Sequence, residues 1–179
     1  MVDQSAARIW TMRAAFIAVC LLIMFFHLMP LETTPGRWAA PDLIVCLCLS
    51  WALRRPDYVP TLAVAGVMLL ADLMFQRPPG LWAALVVMAV HWLKSRERRQ
   101  RETTFLLEWF TVTGCLITIT LLYRLVLLIL IVPFGTPFLT LMQLALTILI
   151  YPLVVVLSHL IFGVRRSAPG EVDRLGHSL

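Results

Sequence analysis

Charged residues are scarce in this sequence: Asp, Glu, Lys and Arg make up 14% of its 179 residues, against about 25% in a typical soluble domain. Hydrophobic residues make up 60%, and the mean hydropathy is +0.87. A soluble fold of this length cannot bury so much apolar surface, so the composition predicts an all-α membrane protein. We expect one membrane domain over residues 1–166 and a flexible cytoplasmic tail over 167–179.

The sequence also lacks nucleophile–base pairs, glycine-rich phosphate loops and clusters of metal ligands. Ser158 and His159 are adjacent, but neighbours on a helix point about 100° apart, and an activated nucleophile needs its base within hydrogen-bond reach. The four cysteines all lie in apolar runs, where thiols are usually buried and inert. Cys46 and Cys48 would point about 200° apart on a helix. We therefore expect no enzymatic activity, no cofactor and no metal.

Six apolar runs divide the chain, at residues 14–31, 41–53, 58–76, 80–93, 104–133 and 138–163. The first, fifth and sixth runs are long enough to cross a hydrocarbon core of about 30 Å at 1.5 Å per residue. The second and fourth runs are nearer to 20 Å as helices, too short for this thickness. They need tilt, local thinning of the bilayer, a shorter path beside other helices, or a hairpin that returns to the same side. The pattern predicts six transmembrane helices. A hairpin of the second and third runs would leave the sides of both termini unchanged.

Basic residues collect on one side of this arrangement. Of the 15 Lys and Arg residues, twelve fall on the side of the two termini, two fall on the other side, and Arg124 lies inside the fifth run. Because cytoplasmic loops carry the excess of Lys and Arg, both termini are predicted to be cytoplasmic. The charges form short clusters rather than one continuous face, so we do not expect nucleic-acid binding.

The densest basic cluster lies between the fourth and fifth runs, and two compatible interpretations apply to it. It can set the topology by contact with anionic phospholipids, or it can bind a cytoplasmic partner. Its members are Lys94, Arg96, Arg98, Arg99 and Arg101.

Ionisable residues at membrane depth are candidate functional residues, because an unpaired charge there costs about 2.5–3.5 kcal/mol on insertion scales. Asp42, Asp72 and Arg124 are the candidates. One hypothesis is that Asp72 and Arg124 pair, since Asp72 is the one acidic residue expected at a comparable depth. The alternative is that Arg124 extends to lipid phosphate while Asp72 faces water. Glu108 is expected to reach the basic cytoplasmic layer, and Asp42 to reach water.

Short motifs in the middle of the chain resemble those of the rod-shape-determining MreD family. The motif residues that form turns or interrupt helices are Pro41, Pro56, Gly66 and Gly80. The motifs are Ala40-Pro41-Asp42-Leu43, Trp51 through Pro56, Gly66 through Asp72-Leu73, Pro79-Gly80-Leu81 and, in the last run, Tyr151-Pro152. They occupy mainly residues 40–82, while length and topology extend the resemblance to about residues 12–166. At Gln76-Arg77-Pro78 the family more often has a small, turn-forming residue.

The resemblance implies a bacterial inner-membrane subunit of the elongasome, which builds side-wall peptidoglycan. It implies MreC as partner, with RodA, a class B penicillin-binding protein and the actin-like MreB, and no catalysis. It also implies a six-helix fold similar to the substrate-binding component of energy-coupling-factor transporters.

Two functions remain open: a scaffold that binds MreC, and a transport component that binds a small molecule or lipid. The sequence favours the scaffold, because the predicted outer side offers a ligand little beyond Glu32, Arg37, Gln76 and Arg77.

Overall fold

The computed structural model describes residues 2–29, 39–97, 104–132 and 136–164, and within them it is all-helical, without a strand. The all-α class is thereby confirmed. The predicted tail at 167–179 lies outside the described residues. The helices are α1 (Val2–Leu28), α2 (Leu43–Arg54), α3 (Thr61–Met74), α4 (Leu81–Glu97), α5 (Phe105–Ile129) and α6 (Pro137–Phe162), with a 3₁₀ turn at Pro56–Tyr58.

Three of these helices are long and apolar enough to cross a membrane, and they come from the first, fifth and sixth apolar runs. They are Ala7–Leu28 within α1, with mean hydropathy 2.2, and α5 and α6, with 2.2 and 2.4. By contrast, α2 and α3 have 12 and 14 residues, which is about 18 and 21 Å of helix. The chain is a membrane protein in which long outer helices accompany short central ones.

The short helix α2 lies at the centre of the bundle. Every residue from Ile44 to Leu53 is buried, because α1, α4 and α6 all pack against α2. The α4 helix also packs on α3 and α5, so α2 and α4 form a central pair between α1–α3 and α5–α6. The indole Nε1 of Trp51 donates a hydrogen bond to Ser158 Oγ at 3.0 Å, which ties α2 to α6.

Successive helices alternate in direction, so the two ends of the bundle carry different residues. At one end, which we call the basic end, Arg13 Nε donates to the carbonyl of Asp57 at 3.0 Å, and Lys94 donates to a carbonyl in the same turn. At the other end, which we call the opposite end, Arg77 Nη1 lies 3.3 Å from Asp42 Oδ2. The basic residues that the sequence places on one side are therefore also found mainly at one end of the bundle.

The outward faces of the helices are apolar. Phe110, Leu149 and Leu160 are 67%, 74% and 71% exposed. Soluble monomers rarely expose contiguous apolar patches larger than a few hundred Å². Lipid is therefore the solvent that suits these faces.

The C-terminal ends of α3 and α5 have non-glycine residues in the left-handed region, Gln76 at φ 53° and Ile131 at φ 54°. At the end of α5, Val132 N donates to Leu127 O at 3.1 Å and Ile131 N donates to Leu128 O at 3.2 Å. This is a Schellman motif, in which glycine is the usual left-handed residue. A β-branched residue is strained there by about 1–2 kcal/mol.

We expect Ile131→Gly to raise the stability of the protein in detergent by about 1 kcal/mol, because glycine removes the strain of the left-handed backbone. Ile117 in the interior of α5 is the control, since it is an isoleucine in regular helical backbone, although it is less exposed than Ile131, at 39% against 89%. Ile117→Gly should lower stability by about 1 kcal/mol. Thermal unfolding followed by circular dichroism measures both changes. Equal losses in the two variants would refute the strain at Ile131.

Candidate functional site

A polar cavity of about 260 Å³ lies at the opposite end, between α2, α4, α5 and α6. This corrects the expectation that the predicted outer side offers a ligand little, because residues far apart in the sequence meet here. The lining includes Asp42, Arg77, Trp82, Tyr123, Arg124 and Gln143. Sequence analysis missed Trp82, Tyr123 and Gln143, which lie in apolar runs without any motif.

Asp42 begins α2 and borders the cavity. Its Oδ1 accepts a hydrogen bond from Val45 N at 3.2 Å, which is the usual contact of a capping aspartate. Its Oδ2 accepts from Arg77 Nη1 at 3.3 Å, and its backbone N–H donates to Thr147 Oγ1 at 3.0 Å. Asp42 therefore joins α2 to the α3–α4 connection and to α6. It is ion-paired and partly buried, and 11% of its side chain remains exposed.

Asp72 is fully buried near the end of α3. Its Oδ2 accepts hydrogen bonds from Gly80 N and Ala83 N, both at 3.1 Å. These N–H groups belong to the first turn of α4, where backbone donors have no partner within the helix. Asp72 thus caps α4 from a neighbouring helix, and Gly80 permits the approach with a φ of 86°.

Arg124 has different partners from Asp72. Its Nη2 donates to Thr136 O at 3.3 Å and to Thr140 Oγ1, so it binds the start of α6. The hypothesis of an Asp72–Arg124 pair is wrong for this structure, and so is its alternative, in which Asp72 faces water. The physical reason is that α4 packs between α3 and α5, so similar depth does not make their side chains meet.

A second buried polar cluster lies at the basic end, centred on Glu108 of α5. Its carboxylate accepts two hydrogen bonds from Arg54, Nε to Oε1 and Nη2 to Oε2, both at 3.2 Å. The Tyr151 hydroxyl donates to Oε1 at 3.0 Å. Glu108 is only 3% exposed, so it reaches a basic partner as expected but does so inside the bundle. No local sequence signal indicates that Tyr151 joins this pair.

Two members of the predicted basic cluster, Lys94 and Arg96, lie in the last turn of α4. Lys94 donates to Val59 O, and the Arg96 guanidinium lies 5.2 Å from the ring centre of Trp92. The remaining members of the basic cluster, Arg98, Arg99 and Arg101, lie outside the described residues.

Among the motif residues, Pro41 and Pro56 have defined positions at the starts of helical segments, whereas Gly66 has no evident packing role. Pro41 precedes the capping Asp42, and Pro56 begins the 3₁₀ turn, where its fixed φ suits the first position. A Cβ atom added at Gly66 would meet no atom within 4 Å. Packing between the described residues therefore does not require a glycine at position 66.

A groove of about 490 Å³ runs between α4 and α5 on the lipid-facing surface. Its walls are mainly apolar, with Met88 and Trp92 on α4 and Phe110 and Thr118 on α5. A Cβ atom added at Gly114, in this groove, would meet no atom within 4 Å. The groove thus has open space at the backbone of α5.

No group of three or more His, Cys, Asp or Glu side chains that could hold a metal occurs in the described ranges. Comparisons of the chain with protein-family models, with curated proteins and with solved structures find no match.

Proposed function

We propose that this protein is a non-enzymatic membrane scaffold of the elongasome, similar to MreD, which binds MreC and supports cell shape. The observation that carries the proposal is the role of charged residues in the MreD-like segment. Asp42 and Asp72 cap helices, and Arg54 pairs with Glu108 across the bundle. Because these charged side chains are used to hold helices together, they favour a rigid structural protein over a protein with a reactive centre.

We propose that the chain is a multi-pass protein of the bacterial inner membrane with both termini in the cytoplasm. The alternating direction of the six helices supports this topology, as does the excess of basic residues at one end. The short helix α2 can reside within the bilayer because α1, α4 and α6 cover it, whereas α3 presents an exposed apolar face with Leu62, Leu69 and Leu73.

We propose the groove between α4 and α5 as the surface that receives a membrane helix of MreC. Small residues let helix backbones approach closely in lipid, and Gly114 provides such a point. RodA and a class B penicillin-binding protein are proposed as further partners, and MreB as a partner on the cytoplasmic side. Anionic phospholipids would bind the basic end, where Arg96 is exposed.

We expect tagged wild-type protein, extracted in mild detergent, to co-purify with MreC, and depletion of the protein to give rounded cells. Gly114→Leu should fill the groove and reduce recovery of MreC at least about tenfold, equivalent to 1.4 kcal/mol. Ala145→Leu is the matched control, because Ala145 is exposed on α6 outside the groove. It should leave recovery unchanged.

One outcome would contradict the groove as the binding surface, and another would contradict the scaffold proposal itself. Equal recovery of MreC with both variants would exclude the groove as its surface. Rod-shaped cells after depletion, together with a tightly retained small molecule in the purified protein, would instead favour the transport component.

A further inference from the structure

The charge of the cavity at the opposite end favours an anionic ligand. Its described lining includes two arginines, Arg77 and Arg124, and one acid, Asp42. Both oxygens of Asp42 already accept hydrogen bonds, one from Val45 N and one from Arg77. The described lining therefore carries a formal charge of +1, and its acid already accepts hydrogen bonds, as does the neighbouring buried Asp72, which accepts from Gly80 N and Ala83 N.

The same cavity contains side-chain hydrogen-bond donors that have no acceptor within the described residues. Trp82 is 8% exposed, and its buried Nε1–H has no partner among the described residues. Across the described ranges, the Tyr123 hydroxyl and the Gln143 side-chain amide also make no hydrogen bond. A buried donor without an acceptor costs about 1–3 kcal/mol, and native structures usually supply the acceptor. A ligand with acceptor oxygens would provide it.

The donors lie on a wall that aromatic contacts hold in place. The Arg77 guanidinium lies 5.7 Å from the ring centre of Trp82 and 5.4 Å from that of Phe75. Trp82 in turn meets Tyr123 edge to face, with ring centres 5.1 Å apart. Within the described part of the chain, the Arg77 guanidinium donates one hydrogen bond, to Asp42. Its remaining N–H groups form the planar fork that binds oxyanions through two bonds.

The apolar part of the lining and the volume limit the ligand further. Val45, Leu116 and Leu127 form part of the apolar lining, and the volume of about 260 Å³ is just below the range of about 300–1,000 Å³ usual for ligand pockets. We propose that this cavity binds a small organic oxyanion, a carboxylate or a phosphate ester, with its oxygens towards Arg77, Trp82 and Tyr123 and its carbon skeleton against the apolar lining. The site would exist whether or not the protein binds MreC.

The test uses the full-length protein purified in detergent, with benzoate as the carboxylate probe and methyl phosphate as the phosphate probe. Sodium chloride at the same ionic strength is the control for screening by salt. We expect one of the two probes to bind saturably in isothermal titration and to raise the thermal midpoint of the wild type. The better probe identifies the oxyanion.

Two variants remove donors without removing the charged residues. Tyr123→Phe and Gln143→Leu should each weaken binding of the better probe about tenfold, while the unliganded variants keep wild-type thermal midpoints. Tyr58→Phe is the matched control, because Tyr58 is a buried tyrosine at the basic end, and it should bind as wild type does.

Native mass spectrometry of protein extracted from cells provides a second readout, in which a small acidic molecule should be retained by the wild type and lost from both donor variants. Absence of a retained anion, together with no saturable binding of either probe, would overturn the proposal. Equal binding by the wild type and both donor variants would also overturn it.

Discussion

Glu108→Ala is expected to lower the free energy of unfolding by about 3–5 kcal/mol, because it leaves one member of a buried ion pair without its partner. The Arg54 side chain, only 14% exposed, would keep its charge inside the bundle. The Tyr151 hydroxyl would lose the carboxylate that accepts its hydrogen bond. Chemical or thermal unfolding in detergent, followed by tryptophan fluorescence, measures the loss.

Two further variants separate the charge from the packing. Arg54→Met combined with Glu108→Met removes both charges at once and should recover most of the lost stability, as replacement of buried pairs by apolar residues often does. Asp57→Ala, an exposed acid at the same end, is the matched control and should change stability by less than about 0.5 kcal/mol. A loss below about 1 kcal/mol for Glu108→Ala would mean that the pair does not stabilise the bundle.

Asp72→Ala should lower the free energy of unfolding by about 2–3 kcal/mol, because two N–H groups at the start of α4 lose their acceptor. These are the N–H groups of Gly80 and Ala83. Asp72→Asn keeps one carbonyl oxygen of the same shape, so its loss should be smaller, about 1 kcal/mol. The same unfolding measurement compares the two variants.

A double-mutant cycle that combines Asp72→Ala with Arg124→Ala tests whether the two side chains contribute to stability independently. Because Asp72 caps α4 and Arg124 binds the start of α6, the two losses should add within about 0.3–0.5 kcal/mol. A coupling energy above about 1 kcal/mol would show that the two charges interact after all. Equal losses for Asp72→Ala and Asp72→Asn would argue against the capping role.

The features that follow from composition and chain order could be predicted from the sequence. The long apolar runs predicted α1, α5 and α6, because the length needed to cross a bilayer is fixed by helix rise. The apolar run at 41–53 predicted α2, which begins at Leu43 directly after the capping Asp42. These signals need no knowledge of which helices are neighbours.

The contacts between helices could not be predicted, because the sequence fixes depth along a helix more closely than rotation about its axis. Helices that are apolar on nearly all faces lack the pattern that shows which side is buried. Asp72 and Arg124 were expected at similar depths and yet face different partners. Tyr151 and Glu108 meet although 43 residues separate them, and no local signal marks that meeting.

The burial of α2 has a consequence for synthesis of the protein. The ribosome completes α2 long before α6, yet Ser158 and Thr147 of α6 supply the partners of Trp51 and Asp42. Until the last helix arrives, the centre of the bundle lacks one of its walls. A nascent chain that stops before α6 therefore lacks contacts at the centre of the bundle rather than at its edge. In such a chain the polar groups of Trp51 and Asp42 have no partner from α6, and membrane quality control can detect them.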